Sequence, residues 1–143
     1  DMYGLKPVMA QRVVVDTKRG LGTAVDMICS RGKDELVVVE LKSGYAGSRT
    51  APATSWNGTD NRDVCKMLGP LHTAKDCVLH RHLAQLTATW QLFKQEKTTL
   101  KLLEEKGVKT ISAALVYVCD SSSELHELPM WWQKRAGKIL NAL

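Results

Sequence analysis

No stretch of this chain approaches the roughly 18 consecutive apolar residues that a membrane-spanning helix needs, and no charged segment followed by an apolar one opens it. A membrane-spanning helix is not expected, and the chain reads as soluble. There is no C-x-x-C pair and no cysteine–histidine cluster of the structural zinc type: Cys29, Cys65, Cys77 and Cys119 are separated by 36, 12 and 42 positions. Free thiols in a reducing compartment are what remains, so an intracellular protein is expected. Internal repeats and low-complexity tracts are absent, and 44% hydrophobic with 24% charged residues leaves no room for a disordered reading. A starting methionine is absent too, and with Asp1 in first place a fragment or a processed form is expected.

What is present is the length of one ordinary domain, 143 residues, enough to bury roughly two-thirds of the surface that the unfolded chain exposes. The net charge is +5 with a pI near 9.1. Such a balance favours a polyanionic partner, because each lysine or arginine set on a phosphate releases condensed counterions.

Three strand-like runs come first: residues 8–15 (VMAQRVVV), 23–29 (TAVDMIC) and 35–42 (ELVVVELK). They are rich in β-branched residues and parted by turn-forming segments, 16–22 with Gly20 and Gly22, and 30–34 (SRGKD), which predicts a three-stranded antiparallel meander. Residues 43–76 are glycine-, serine- and threonine-rich without periodicity, a long connection of the kind used as a lid or binding loop; a short helix is expected over 60–68. From 77 to 106 the apolar positions Leu79, Leu83, Leu86, Trp90 and Phe93 recur at helical spacing, with a break expected at Thr98-Thr99 and Gly107 as C-cap. Residues 111–118 (ISAALVYV) read as a buried strand and 129–143 as a closing helix, with Pro129 near its first turn. This order permits a sheet with helices packed against it, in the α/β or α+β class.

Side chains at i and i+2 share one face of a strand, so Glu40 and Lys42 lie with Leu36 and Val38, while Val37, Val39 and Leu41 take the other side. A strand apolar on both faces belongs in the sheet centre, where a carboxylate and an ammonium need a reason. Asp26, on the preceding strand, reaches the Glu40 face in one of two registers: opposite Glu40 with a loop at 32–34, or opposite Val38 with a loop at 31–33. Gly32 is available for a left-handed backbone in either, and a slip of one residue sends Asp26 to the wrong face. Two carboxylates with a lysine beside them make a hard-cation site suited to Mg2+ or Mn2+. On spacing alone a second reading stands beside it: a strand end entering solvent, and an acid near a turn.

The stretch GTAVDMICSRGKDELVVVELKSG resembles the PD-(D/E)XK nucleases, with an aspartate on one hairpin strand and D/E-x-K on the next. Its style is nearest the branch of lambda-type exonucleases, viral alkaline nucleases and RecB/Cas4-like nucleases, and HRHLAQLTATWQLF (residues 80–93) stands where that branch carries a glutamine-bearing helix. The resemblance implies a restriction-endonuclease-like core in a single domain over residues 1–143. It implies hydrolysis of DNA, with RNA as a further substrate class, and a protein partner or homo-oligomer beside it. In the roles it implies, Asp26, Glu40 and the Leu41 backbone carbonyl hold Mg2+ or Mn2+, and Lys42 and Gln85 complete the catalytic centre.

His82, beside Gln85 on the helical wheel, is a candidate phosphate contact, as is Arg49; Tyr45 and Trp56 are candidates for stacking on bases. Of Trp131 and Trp132, one is expected to pack inward and the other to mark an intermolecular contact. The chain departs from the pattern in three ways. Val25 replaces the proline before Asp26, no acid-bearing helix fits between Asp1 and Val8, and the cysteines do not match the iron–sulfur spacing of some Cas4-like proteins. The missing acid favours an alternative, a nuclease-fold module that binds nucleic acid or a partner protein without cutting.

Overall fold

The computed structural model of the chain describes residues 2–44, 49–50, 66–120 and 122–143. After a 3-10 turn at Met2–Gly4 come β1 (Lys6–Asp16), β2 (Leu21–Arg31) and β3 (Glu35–Ser43). They form the expected antiparallel meander, each strand reaching up to two residues past its apolar run, since ladder bonds are made by backbone rather than side chains. Arg31 pairs with Glu35, leaving Gly32, Lys33 and Asp34 as the loop, with Gly32 at φ +69°. Of the two registers predicted, this is the one that sets Asp26 level with Glu40.

The helical segment is α1 (Val78–Gln95) followed by α2 (Lys97–Lys106). Leu83, Leu86, Trp90 and Phe93 are buried and Leu79 packs beside them, as the periodicity predicts. The break falls at Glu96, not at Thr98-Thr99. Glu96 is extended (φ −69°, ψ 124°), and its carboxylate takes the Arg12 guanidinium at 2.8 Å and the Thr99 hydroxyl at 2.7 Å, so the threonines open α2 instead of interrupting it. Gly107, at φ +65°, caps α2 with its N–H on the carbonyls of Leu103 and Glu104.

The buried strand is β4 (Thr110–Cys119), paired in parallel with β3 along its whole length. It is followed by β5 (Ser122–Glu127), antiparallel on the outer edge, which the sequence reading assigns no element. The closing helix is two short ones, α3 (Met130–Gln133) and α4 (Ala136–Leu140), with Pro129 as N-cap. Between them Arg135 is the N-cap of α4 (φ −101°, ψ −4°), with its guanidinium 3.7 Å over the Trp131 ring. Of the short helix expected over 60–68, residues 60–65 lie outside the described residues; Lys66 makes a bridge to Lys75, and Gly69–Leu71 is one 3-10 turn.

The result is an α+β arrangement, a five-stranded mixed sheet in the order β1-β2-β3-β4-β5 flanked by helices. Its centre is aliphatic on both faces. Val38, Ala113 and Leu115 face α1, and Val37, Val39 and Ala114 form a second cluster on the far face. Among the described residues no helix is long and apolar enough to cross a membrane, and Cys29, Cys77 and Cys119 are free thiols.

Candidate active site

The site lies where two strands stop pairing. The β2·β3 ladder runs from Arg31↔Glu35 to Met27↔Val39 and ends there, whereas β2 continues on β1 down to Leu21 and β3 continues on β4 up to Ser43. Beyond Met27 and Val39 a gap therefore opens between neighbours in one sheet. Val25 and Ile28 both enter the α1-side core although they are three residues apart, so β2 changes face between them. Opposite, Gln11 of β1 sits at φ +51°, skipped in a register that runs from Ala10↔Met27 to Arg12↔Val25. That irregularity turns Asp26 toward β3, where Oδ2 accepts the Leu41 N–H at 2.9 Å. The carboxylate takes over a backbone donor released where the ladder ends.

Glu40 and Lys42 project on the α1 side with Leu36 and Val38, and α1 brings Gln85 to them. The three groups close a triangle: Lys42 Nζ donates to Glu40 Oε1 at 2.8 Å and to Gln85 Oε1 at 3.0 Å, and Gln85 Nε2 donates to the same Glu40 oxygen at 2.5 Å. Glu40 is only 3% exposed. Burial pushes its carboxyl above the ordinary value, against the pull of Lys42, and repulsion from Asp26 adds to the rise.

The donor set fits a hard divalent cation. One oxygen of each carboxylate is committed to protein donors, whereas Glu40 Oε2 and Asp26 Oδ1 accept no hydrogen bond among the described residues. The Leu41 carbonyl points the same lateral way as its N–H, toward Asp26, because the two groups of a strand residue lie on one side. Among the described residues no group of three acidic, histidine or cysteine side chains gathers for a metal. Two carboxylates and a carbonyl with water filling the rest is the manner of Mg2+, which sheds water reluctantly.

Two further candidates, His82 and Arg49, meet at Tyr117, the partner of Lys42 in the parallel register. His82 Nδ1 is 2.8 Å from the Tyr117 hydroxyl, and burial, with a smaller effect of Lys42, holds the imidazole below its ordinary value. Arg49 ion-pairs with Glu124 of β5 and lies 4.1 Å over the Tyr117 ring, so its charge is spent on the edge of the sheet. Its carbonyl accepts the Leu79 N–H in the first turn of α1. Tyr45 and Trp56 lie outside the described residues.

Sequence reasoning missed Tyr117. The parallel register sets it beside Lys42, it hydrogen-bonds His82, and Arg49 and His126 pack on its ring. No local pattern signals this, because the pairing joins strands 75 residues apart. Set against known proteins, the chain matches no family model, and no curated protein aligns with it significantly.

Proposed function

We propose that the chain is a metal-dependent nuclease of the PD-(D/E)XK type, with a restriction-endonuclease-like core, hydrolysing DNA phosphodiester bonds in exonuclease-like processing. The observation that carries this reading is the meeting of Asp26, Glu40, Lys42 and Gln85 at the point where β2 and β3 part. A bound Mg2+ or Mn2+ supplies polarisation of the scissile phosphate and a hydroxide-like water.

The chain's own residues do the rest. Asp26 is held by the Leu41 N–H through Oδ2, which leaves Oδ1 with no hydrogen bond among the described residues and sets the carboxylate close enough to Glu40 to repel it. Lys42 is kept at the site by two acceptors, a carboxylate and an amide, and puts a fixed positive charge where the phosphorane-like state gathers negative charge. Gln85 is a positioning residue, since it holds both partners of the pair and carries no charge to share.

The test is incubation with end-labelled linear DNA and with closed circular DNA, each with Mg2+ or Mn2+. Wild type is expected to cut the linear form in either metal, Glu40→Ala to fall to background with DNA binding retained, and Lys42→Ala to lose about 10²–10³-fold in rate. Salt-dependent binding without cleavage by the wild type, or an undiminished Glu40→Ala variant, overturns the hydrolase reading.

A further inference from the structure

The basic excess of the chain is concentrated. Residues 66–75 and 128–143 carry Lys66, Lys75, Lys134, Arg135 and Lys138 without one aspartate or glutamate, and the remainder holds 15 basic residues (20 less these five) against 15 acidic ones. The whole net charge of +5 therefore resides in two segments. None of the five basic side chains has an acidic partner among the described residues.

Both segments contribute to the lining of a cavity of about 410 Å3, formed by Thr73, Lys75, His80, Pro129, Trp131 and Trp132, with Lys75 the one of the five basic residues that lines it. Its aromatic walls pack on one another. Trp132 is buried and meets Trp131 edge to face at 5.0 Å and 73°. The His80 ring lies 5.6 Å from Trp132, with Nδ1 2.8 Å from the Lys75 carbonyl. Arg135 stacks on Trp131 and donates from Nη1 to its carbonyl at 3.3 Å. Lysines and an arginine alone describe a solvated face. A cavity walled by two indoles in their midst describes a flat, weakly polar guest attached to negative charge.

We propose that this cavity anchors single-stranded nucleic acid: an unstacked base enters it beside Trp131 and His80, over the buried Trp132, while flanking phosphates lie on Lys75, Lys134 and Lys138. The proposal takes from the hydrolase reading only that the partner is nucleic acid. The same helix serves both places, since His80 and Gln85 stand five residues apart on α1, about 7.5 Å in axial rise.

The experiment is a fluorescence-anisotropy titration of labelled oligothymidylate, in EDTA so that no cutting occurs, over a range of KCl concentrations. Trp131→Leu is expected to weaken binding about tenfold with the salt slope unchanged. The exposed pair Lys134→Glu/Lys138→Glu is expected to weaken it more and to flatten the slope of log K against log salt by about 1.4. Thermal unfolding accompanies each variant. If Trp131→Leu does not fold, quenching of wild-type tryptophan fluorescence by the oligonucleotide replaces it, and absence of quenching counts against the site. Wild type that does not bind, variants that bind as wild type does, or polyglutamate competing as well as unlabelled oligothymidylate each overturn the proposal, the last in favour of an acidic protein partner. Binding that follows these expectations in a protein inert with both metals removes the hydrolase reading and keeps the anchor. Cutting with unchanged variants does the reverse.

Discussion

Glu40 is the most constrained side chain of the site, 3% exposed and shared between Lys42 and Gln85 on a single oxygen. Its raised carboxyl value means that the folded chain holds that proton more tightly than the unfolded chain does. The sign follows: the stabilising contribution is present at acid pH and is lost as pH rises through the raised value. Glutamine has the shape of the protonated acid and keeps an acceptor for Lys42 but cannot ionise. Melting temperatures of metal-free wild type and Glu40→Gln are therefore expected to coincide near about pH 4 and to separate in favour of the variant toward about pH 7. A wild type that gains on the variant over that interval would mean that the ion pair with Lys42, and not burial, dominates. At the same scale, the shared face of Glu40 and Lys42 was readable from alternation along one strand. The fixing of Asp26 by the Leu41 N–H was not, because it depends on a face change in β2 that no i, i+2 pattern contains.

Elements with local causes were legible in the sequence, and those set by distant partners were not. The meander follows from three β-branched runs and short turns, with Gly32 supplying the left-handed residue of its three-residue loop. The arc of α1 and the Gly107 cap are equally local. By contrast β5 (SSELHE) has a single apolar residue, Leu125, and is a strand because the free edge of β4 and the partners Arg31 and Arg49 hold it. The break between α1 and α2 is likewise tertiary. Glu96 accepts from Arg12 of β1 and from Thr99, tying the first strand to the helix junction. Arg12 already has a buried Nε without a partner, so removing the carboxylate leaves its charge further exposed to a poor environment. Glu96→Ala is expected to destabilise the fold by about 1–3 kcal/mol, read from urea midpoints, while Lys101→Ala on the solvated 4.0 Å pair with Glu105 shifts them by less than about 0.5 kcal/mol. Equal effects would contradict the clamp.

Over the whole molecule, the five-stranded sheet has its shortest ladder between β2 and β3. The β1–β2 pair and the β3–β4–β5 group share only the five register pairs from Met27↔Val39 to Arg31↔Glu35, and above them the halves separate around Asp26 and Glu40. Two carboxylates, one from each half, repel across that gap. The divalent cation proposed above, held by both, would convert the repulsion into a tie and would bind the folded chain alone, since the unfolded chain has no preformed pair of ligands. At about 100 times its dissociation constant such a ligand adds about 2.7 kcal/mol, which for a chain of this size is a rise of about 5–11 °C in melting temperature. Mn2+ is expected to produce that rise in wild type, with slower hydrogen exchange at residues 21–26 and 40–43, and neither effect in Asp26→Asn or Glu40→Gln. Because the readout is stability and not turnover, it separates the cation site from the chemistry: a rise that survives in either variant would place the ion elsewhere on the molecule and leave the gap between β2 and β3 without its proposed occupant.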